Sequence, residues 1–250
     1  MNIILGTAQL TNNYGLAQKN LSLIQFKKII KLAKKQNFKF IDTAVSYRNV
    51  DKKLSQLNLS KFNIITKVSN LKKNDLQDTI KKHLKKLNVN RFHTIFLHDE
   101  NELIGKQKNE NFQILTNLKS LKLTKNIGVS VYSKKNTLKI MKNFKIDALQ
   151  LPCNLFDKRF INKSFVKKAK RQNIKLYFRT IFLQGTLLNK NLYKREKRLK
   201  KMKIFNRYYN WIKNKNIIPL KVTFNFLKKM KIENAIIGVT NFDEYNEIIK

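Results

Sequence analysis

Hydrophobic and polar positions along the chain fall into two alternating kinds of segment. Short apolar runs occupy residues 3–7, 38–43, 63–68, 92–98, 126–131, 148–152, 175–182 and 235–239. They are brief, rich in Ile, Val, Phe and Leu, and bounded by polar residues, which predicts β-strands. Between them the apolar positions recur at helical spacing. Leu23, Phe26, Ile30 and Ala33 follow Ser22, whose hydroxyl is placed to cap a helix with Gln25 three residues on. Leu76, Ile80, Leu84 and Leu87 follow Asn74 and Gln77 in the same pattern. Further helical segments cover about 112–123, 134–144, 163–172 and 219–230, the last opening on Pro219, where a first helical turn tolerates it.

Strand then helix, repeated eight times, with strands too apolar to have a wet face, predicts a closed parallel (β/α)8 barrel, the TIM-barrel class of α/β fold, as one domain. An open doubly wound sheet is the alternative, but the turn Gly6-Thr7-Ala8-Gln9 lacks the GxGxxG that usually follows its first strand. One long excursion, 185–216, follows strand seven and is expected to hold at least one extra helix, near 204–213. The chain stops soon after strand eight, leaving little room for a long C-terminal loop. No Pro- or Ser-rich linker divides the sequence.

Composition bears more on partners than on fold. Lys+Arg 54 against Asp+Glu 15 gives a formal charge of +39 over 250 residues, a balance that usually points to nucleic acid or an anionic membrane. Here the cations recur in every helical stretch, as at 27–35, 81–87 and 194–203, on the faces that amphipathic spacing leaves in water. That distribution fits a general bias toward Lys, Asn and Ile and argues against a nucleic-acid partner. The best such surface would be Phe205, Tyr208, Tyr209 and Trp211 interleaved with Lys200, Lys201, Lys203, Arg207 and Lys213. Their helical spacing predicts that the aromatics cover the barrel instead. A single cysteine, Cys153, excludes an internal disulfide and a Cys-based zinc site and is read as packing. No metal is expected. The N-terminus has no signal-peptide pattern and no run is long enough to span a membrane, so a cytoplasmic protein is expected.

In a barrel of this class chemistry sits at the C-terminal ends of the strands. There the sequence places Asp42, with Tyr47 in the loop behind it, then Lys67, His98, Gln150, Asn154 and Arg179. A buried acid and a buried lysine each need a reason. A phenol holds its proton too tightly to be a good acid near neutral pH, so an ammonium beside it must stabilise the developing phenolate. Lys67 suits that task for Tyr47, Asp42 would hold Lys67, and His98 would orient a substrate oxygen. His83 and His93 lack such company and read as structural.

These residues resemble the aldo-keto reductase family over nearly the whole chain. The resemblance is carried by LGTAQLTNNYGLAQ (5–18), FKFIDTAVSYRN (38–49) with Asp42 and Tyr47, TKV with Lys67, FLH with His98, IGVSVY (127–132), LQLPCN (149–154) and IIGVTN (236–241). It implies reduction of an aldehyde or ketone, a small-molecule carbonyl, with NADP(H) or NAD(H). It implies a cofactor site with Gly6 and Thr7, with Ser130, Gln150 or Asn154 near the nicotinamide carboxamide, and with Gly238, Val239, Thr240 and Asn241 under the phosphates. Arg179 stands where relatives commonly carry a tyrosine stacked on the nicotinamide, and is expected to contact substrate or cofactor. Gly238 and Glu244 replace basic residues that often hold the NADP 2′-phosphate, and Val131 replaces an Asn after the serine. The segment FRTIFLQG (178–185) is similar to a subgroup associated with bacterial surface-polysaccharide and sugar-nucleotide pathways. The competing expectation is a non-catalytic nucleotide sensor or polyanion-binding protein on the same scaffold. The sequence assigns no oligomeric state.

Overall fold

Eight strands pair in parallel, each with its successor, and the last closes on the first. They are β1 (Asn2–Gly6), β2 (Phe40–Asp42), β3 (Asn63–Val68), β4 (Phe92–Leu97), β5 (Thr124–Ser130), β6 (Ala148–Pro152), β7 (Lys175–Arg179) and β8 (Asn234–Ile237). This computed structural model describes residues 1–11, 15–16, 20–69, 73–195 and 202–249. The helices are α1 (Leu23–Lys35), α2 (Val50–Leu54), α3 (Lys73–Leu87), α4 (Lys108–Ser120), α5 (Lys134–Asn143), α6 (Lys163–Arg171), α7 (Lys190–Arg195), α8 (Lys203–Asn214), α9 (Pro219–Lys229) and α10 (Phe242–Ile249). The predicted (β/α)8 barrel is the fold found.

Strand alternation sorts the core into two shells. Ile4, Ile65, Phe96, Ala148, Tyr177 and Ile236 pack together inside the barrel, with Phe40 against them. Their chain neighbours, such as Leu5, Ile41, Ile64, Ile95, Leu97, Leu149 and Phe178, join the larger core shared with the helices. At Gly128 the interior leaves no room for a side chain: a Cβ would lie 2.2 Å from the Ala148 carbonyl oxygen and 2.8 Å from the Phe96 ring. The helices bury one narrow stripe and leave their cations in water. In α6 only Phe165 and Ala169 are buried, while Lys163, Lys167, Lys168 and Lys170 are exposed.

With only six glycines in the sequence, asparagine ends many of the helices. Asn37, Asn88, Asn173 and Asn216 follow α1, α3, α6 and α8 with φ of 61°, 51°, 55° and 48°. Beyond each, an N–H returns to a carbonyl five residues back, as from Phe38 to Ala33 at 2.9 Å and from Ile174 to Ala169 at 2.9 Å. This is the left-handed helix stop usually given to glycine, and Asn tolerates it better than most residues. Ser22 caps α1 as expected, accepting from the Gln25 N–H at 3.2 Å.

Several boundaries differ from the sequence reading. The segment expected after an Asn74 cap begins at Lys73, and the Asn74 side chain lies outside the described residues. Strand seven stops at Arg179 rather than at 182, because Thr180 takes a φ of 63° and the chain turns. The short α2 and the closing α10 were not anticipated, being too brief for a helical repeat to stand out. The excursion after β7 carries two described helices, α7 and α8. Tyr193, Phe205, Tyr208, Tyr209 and Ile212 form a satellite core there, so the aromatic group does cover hydrophobic surface, with Trp211 left 45% exposed. Lys200 and Lys201 lie outside the described residues.

Candidate active site

The alternation that fills the barrel also builds its mouth. Two positions beyond each interior residue, the next inward-facing position reaches the C-terminal rim: Ile4 leads to Gly6, Phe40 to Asp42, Ile65 to Lys67 and Phe96 to His98. Around the other half Gly128 leads to Ser130, Ala148 to Gln150, Tyr177 to Arg179 and Ile236 to Gly238. All eight rim residues line one cavity of about 390 Å³. Tyr47 joins them from the turn between β2 and α2, where its N–H bonds the Ala44 carbonyl at 3.1 Å.

Asp42 is the hub of the cavity floor. Its Oδ2 accepts from Lys67 Nζ at 2.6 Å and its Oδ1 from Gln150 Nε2 at 2.8 Å, and Lys67 also donates to the Thr43 carbonyl at 2.9 Å. Asp42 is 5% and Lys67 3% exposed, so neither charge is shared with bulk water. Burial pulls the Lys67 ammonium below the usual lysine range, and the Asp42 carboxylate opposes that pull. Lys67 Nζ sits 5.6 Å from the centre of the Tyr47 ring. His98 faces the same ring edge-on, with centroids 6.4 Å apart, and its Nδ1 is 3.5 Å from Ser46 Oγ. Partial burial, then the charges of Lys67 and Arg179, push the His98 imidazolium below its ordinary value. Near neutral pH His98 is therefore an uncharged ring with one N–H to give.

Further out, the Arg179 guanidinium stacks on Tyr132, its carbon 4.1 Å from the ring centre. Across the barrel, Thr240 and Glu244 belong to the same cavity. The Glu244 carboxylate takes the Thr240 N–H at 2.6 Å and its hydroxyl at 2.7 Å. Residues that follow β7, including Gln184, Leu188 and Leu192, supply one wall. A smaller cavity of about 120 Å³ shares Phe182, Leu188, Gly238 and Glu244 with the main one and continues past Ile218 and Pro219. The two together make an elongated site.

Two buried atoms suit a bound amide-bearing ligand. Gln150 Oε1 and Gln9 Oε1, in side chains lining the cavity, have no hydrogen-bond partner among the described residues. A buried acceptor left this way costs free energy unless something donates to it, and a carboxamide N–H answers that need at Gln150. The site thus fits a nicotinamide group.

Four residues expected at the cofactor site do not line the main cavity, although Val239 lines the smaller one. Thr7 and Val239 are one position out of step with the inward alternation: Thr7 is buried with its hydroxyl on the Asp42 carbonyl at 3.1 Å, and Val239 packs in the outer core. Asn154 follows the end of β6, and its Oδ1 accepts from the Phe156 and Asp157 N–H groups at 2.9 and 3.0 Å. Asn241 accepts from the Glu244 N–H at 2.8 Å, at the start of α10. Of the segment 5–18, residues 12–14 and 17–18 lie outside the described residues. His83 is structural as expected, set between Asp51 Oδ2 at 2.7 Å and Thr66 Oγ1 at 3.3 Å, and Cys153 is fully buried. Tyr132 was missed, although it lies two positions beyond Ser130 and period two alone would have turned it to the cavity. Gln9 carried no comparable signal, because it follows a strand end by a short 3-10 turn.

Among the described residues no helix is long and apolar enough to cross a membrane, and no cluster of His, Cys, Asp and Glu could hold a metal ion.

Comparison with known proteins agrees with this geometry. An aldo-keto reductase from Pseudomonas aeruginosa superposes with a TM-score of 0.72 at 14% identity, over 99% of this chain and 88% of that one. A glycerol dehydrogenase from Gluconobacter oxydans gives 0.72 at 15% identity, over 97% and 83%. An aldo/keto reductase from Klebsiella pneumoniae, solved with NADP and acetate, gives 0.71 at 13% identity, over 98% and 83%. At these identities the likeness is one of fold. No curated protein sequence matches significantly. The model of the Aldo/keto reductase family matches residues 2–250, so the chain belongs to that family and is an NAD(P)-dependent oxidoreductase.

Proposed function

We propose that this protein reduces an aldehyde or ketone at the mouth of the barrel, with Tyr47 as the proton donor. The observation that carries this reading is the buried Asp42–Lys67 pair, with the ammonium 5.6 Å from the centre of the Tyr47 ring. A cation held there stabilises negative charge on the phenol oxygen as its proton leaves, which makes Tyr47 a usable acid near neutral pH. Asp42 fixes that ammonium from one side and is itself fixed by Gln150. His98, kept uncharged, donates its N–H to the carbonyl oxygen and orients it between ring and phenol.

When bound, the cofactor supplies the hydride that reaches the carbonyl carbon. Gln150 Oε1 and Ser130 would hold its carboxamide, Gly6 would let it approach the rim closely, and Gly238 would face its phosphates. Either NADP(H) or NAD(H) enters this scheme, and Glu244, already holding the Thr240 N–H, weighs against an extra phosphate at that point. The segment 178–185 favours a sugar or sugar-nucleotide carbonyl as substrate. Tyr47→Phe tests the mechanism: reduction of a panel of sugar and simple aldehydes should fall by at least about a hundredfold, while cofactor binding, followed by protein fluorescence, persists. Activity retained in that variant overturns the role of Tyr47.

A further inference from the structure

Among the described residues, four ionised side chains line the main cavity: Asp42, Lys67, Arg179 and Glu244. Asp42 and Lys67 neutralise each other at 2.6 Å, and Glu244 is held by the N–H and hydroxyl of Thr240. Arg179 is left over. Among the described residues it meets no carboxylate; its bonds go to the Thr180 hydroxyl at 3.2 Å and, at a long 3.4 Å, to the Val131 carbonyl. Among the described residues those two bonds leave most of its N–H donors without an acceptor. A half-buried guanidinium with unused donors has been partly stripped of water without compensation.

Its direction is also informative. Arg179 ends β7, yet its guanidinium crosses the end of β6 to reach Val131 and Tyr132, just past β5. It thus leans away from Gly238, Thr240 and Glu244 beyond β8 and toward the side where His98 closes β4. The Tyr132 ring covers one face of the guanidinium, and Tyr132 is itself held through its carbonyl by Arg159 at 2.9 Å. A stacked, oriented guanidinium is the arrangement that recognises a planar or tetrahedral oxyanion through paired N–H bonds.

We infer that Arg179, stacked on Tyr132, is the recognition group for an anionic substituent, a carboxylate or phosphate, on the carbonyl substrate. This deepens the carbonyl-reduction reading and rests on it for the identity of the reacting group. Arg179 is then a specificity determinant on the substrate side of the cavity, rather than a platform for the cofactor.

The test compares matched aldehydes that differ in charge: succinic semialdehyde with butanal, and glyceraldehyde 3-phosphate with glyceraldehyde. Each is measured at about 0.3 M salt, where the field of distant surface lysines is screened. The anionic member of at least one pair should show a kcat/KM higher by roughly tenfold or more. The pair that shows it tells carboxylate from phosphate. In Arg179→Gln the ratio within that pair should fall to about one, whatever happens to the absolute rates. Arg171→Gln removes the same charge from the exposed end of α6 and should leave the ratio unchanged. Calorimetry of 4-hydroxybutyrate against 1-butanol, and of glycerol 3-phosphate against glycerol, reads the same preference without turnover. Absence of any aldehyde reduction would count against the carbonyl-reduction reading alone, since the calorimetry still decides the role of Arg179. Equal treatment of charged and neutral ligands, or a preference that survives Arg179→Gln, overturns the inference.

Discussion

Gln150 Nε2 donates to Asp42 Oδ1 at 2.8 Å across the barrel, from the end of β6 to the end of β2, although the two residues are 108 positions apart in sequence. Together with the Lys67 bond at 2.6 Å on the other oxygen, it makes Asp42 a fully engaged carboxylate rather than one half of a simple ion pair.

Asp42→Asn should therefore cost twice. It leaves a buried ammonium without its counter-charge, which destabilises by roughly 3–5 kcal/mol, and it loosens the cation that serves Tyr47, lowering kcat by about 10²-fold or more. Thermal unfolding and steady-state kinetics read the two effects separately. The double variant Asp42→Leu with Lys67→Met removes both buried charges and should regain much of the lost stability while remaining inactive. Recovery of activity in it would contradict the role given to Lys67.

His98 is held below its ordinary value by burial and by the charges of Lys67 and Arg179. It stays neutral until the pH falls below the usual imidazole value, and an acid limb of kcat/KM set by His98 protonation should lie below about 6.5. Removing one of the depressing charges, as in Arg179→Gln, should move that limb upward. A limb that does not move would show that His98 titration does not control the rate.

His93, beside the Phe40 ring at 4.9 Å, is pushed from 6.5 down to about 4 by burial and by Lys175, Lys125 and Arg91. In the unfolded chain it binds its proton at the ordinary value, so the native state holds fewer protons between those limits. Its contribution to stability is complete above about pH 6.5 and is lost as the pH falls toward 4. Urea midpoints at neutral and mildly acid pH should therefore drop less in His93→Gln than in the parent protein. An equal drop in both would remove His93 from the account.

Glu244 holds the Thr240 N–H and hydroxyl at 2.6 and 2.7 Å, at the start of α10, a kind of place that suits an anion. Glu244→Gln should weaken that competition and tighten NADPH binding by about tenfold, with a smaller effect on NADH. Fluorescence titration with each nucleotide gives the two constants, and a parallel change in both would show that Glu244 does not discriminate at the 2′-position.

Cys153 is fully buried, and burial pushes its thiol up to about 12. The native protein should resist alkylation at pH 8, becoming reactive only in denaturant. Rapid labelling of the folded protein would mean that the end of β6 opens far more readily than its packing implies.

Much of this was readable from residue order because a parallel barrel repeats one rule eight times. The alternation of short apolar runs with amphipathic segments specified the strands, and the polar residue closing each run named Asp42, Lys67, His98, Gln150 and Arg179, since period two carries an inward side chain from core to rim. The same rule sets Thr7 one step out of phase with the main cavity and turns Tyr132 toward it. Short elements such as α2 carried too few residues for a period to register.

Other features depend on distances that sequence order does not encode. Nothing in the order of residues says that Gln150 reaches across to Asp42, that Glu244 folds back on Thr240, or that the Arg179 guanidinium passes over β6 to lie on Tyr132. Those partners are chosen by barrel closure, which brings ends of distant strands within hydrogen-bond reach in a space with little water. There a charge withdrawn from water calls for a partner, and Arg179, which meets no carboxylate among the described residues, is visible only when the others have been paired. The sequence determined the scaffold and the residue types at its mouth; the closed barrel decided which charges cancel and which remains for a ligand.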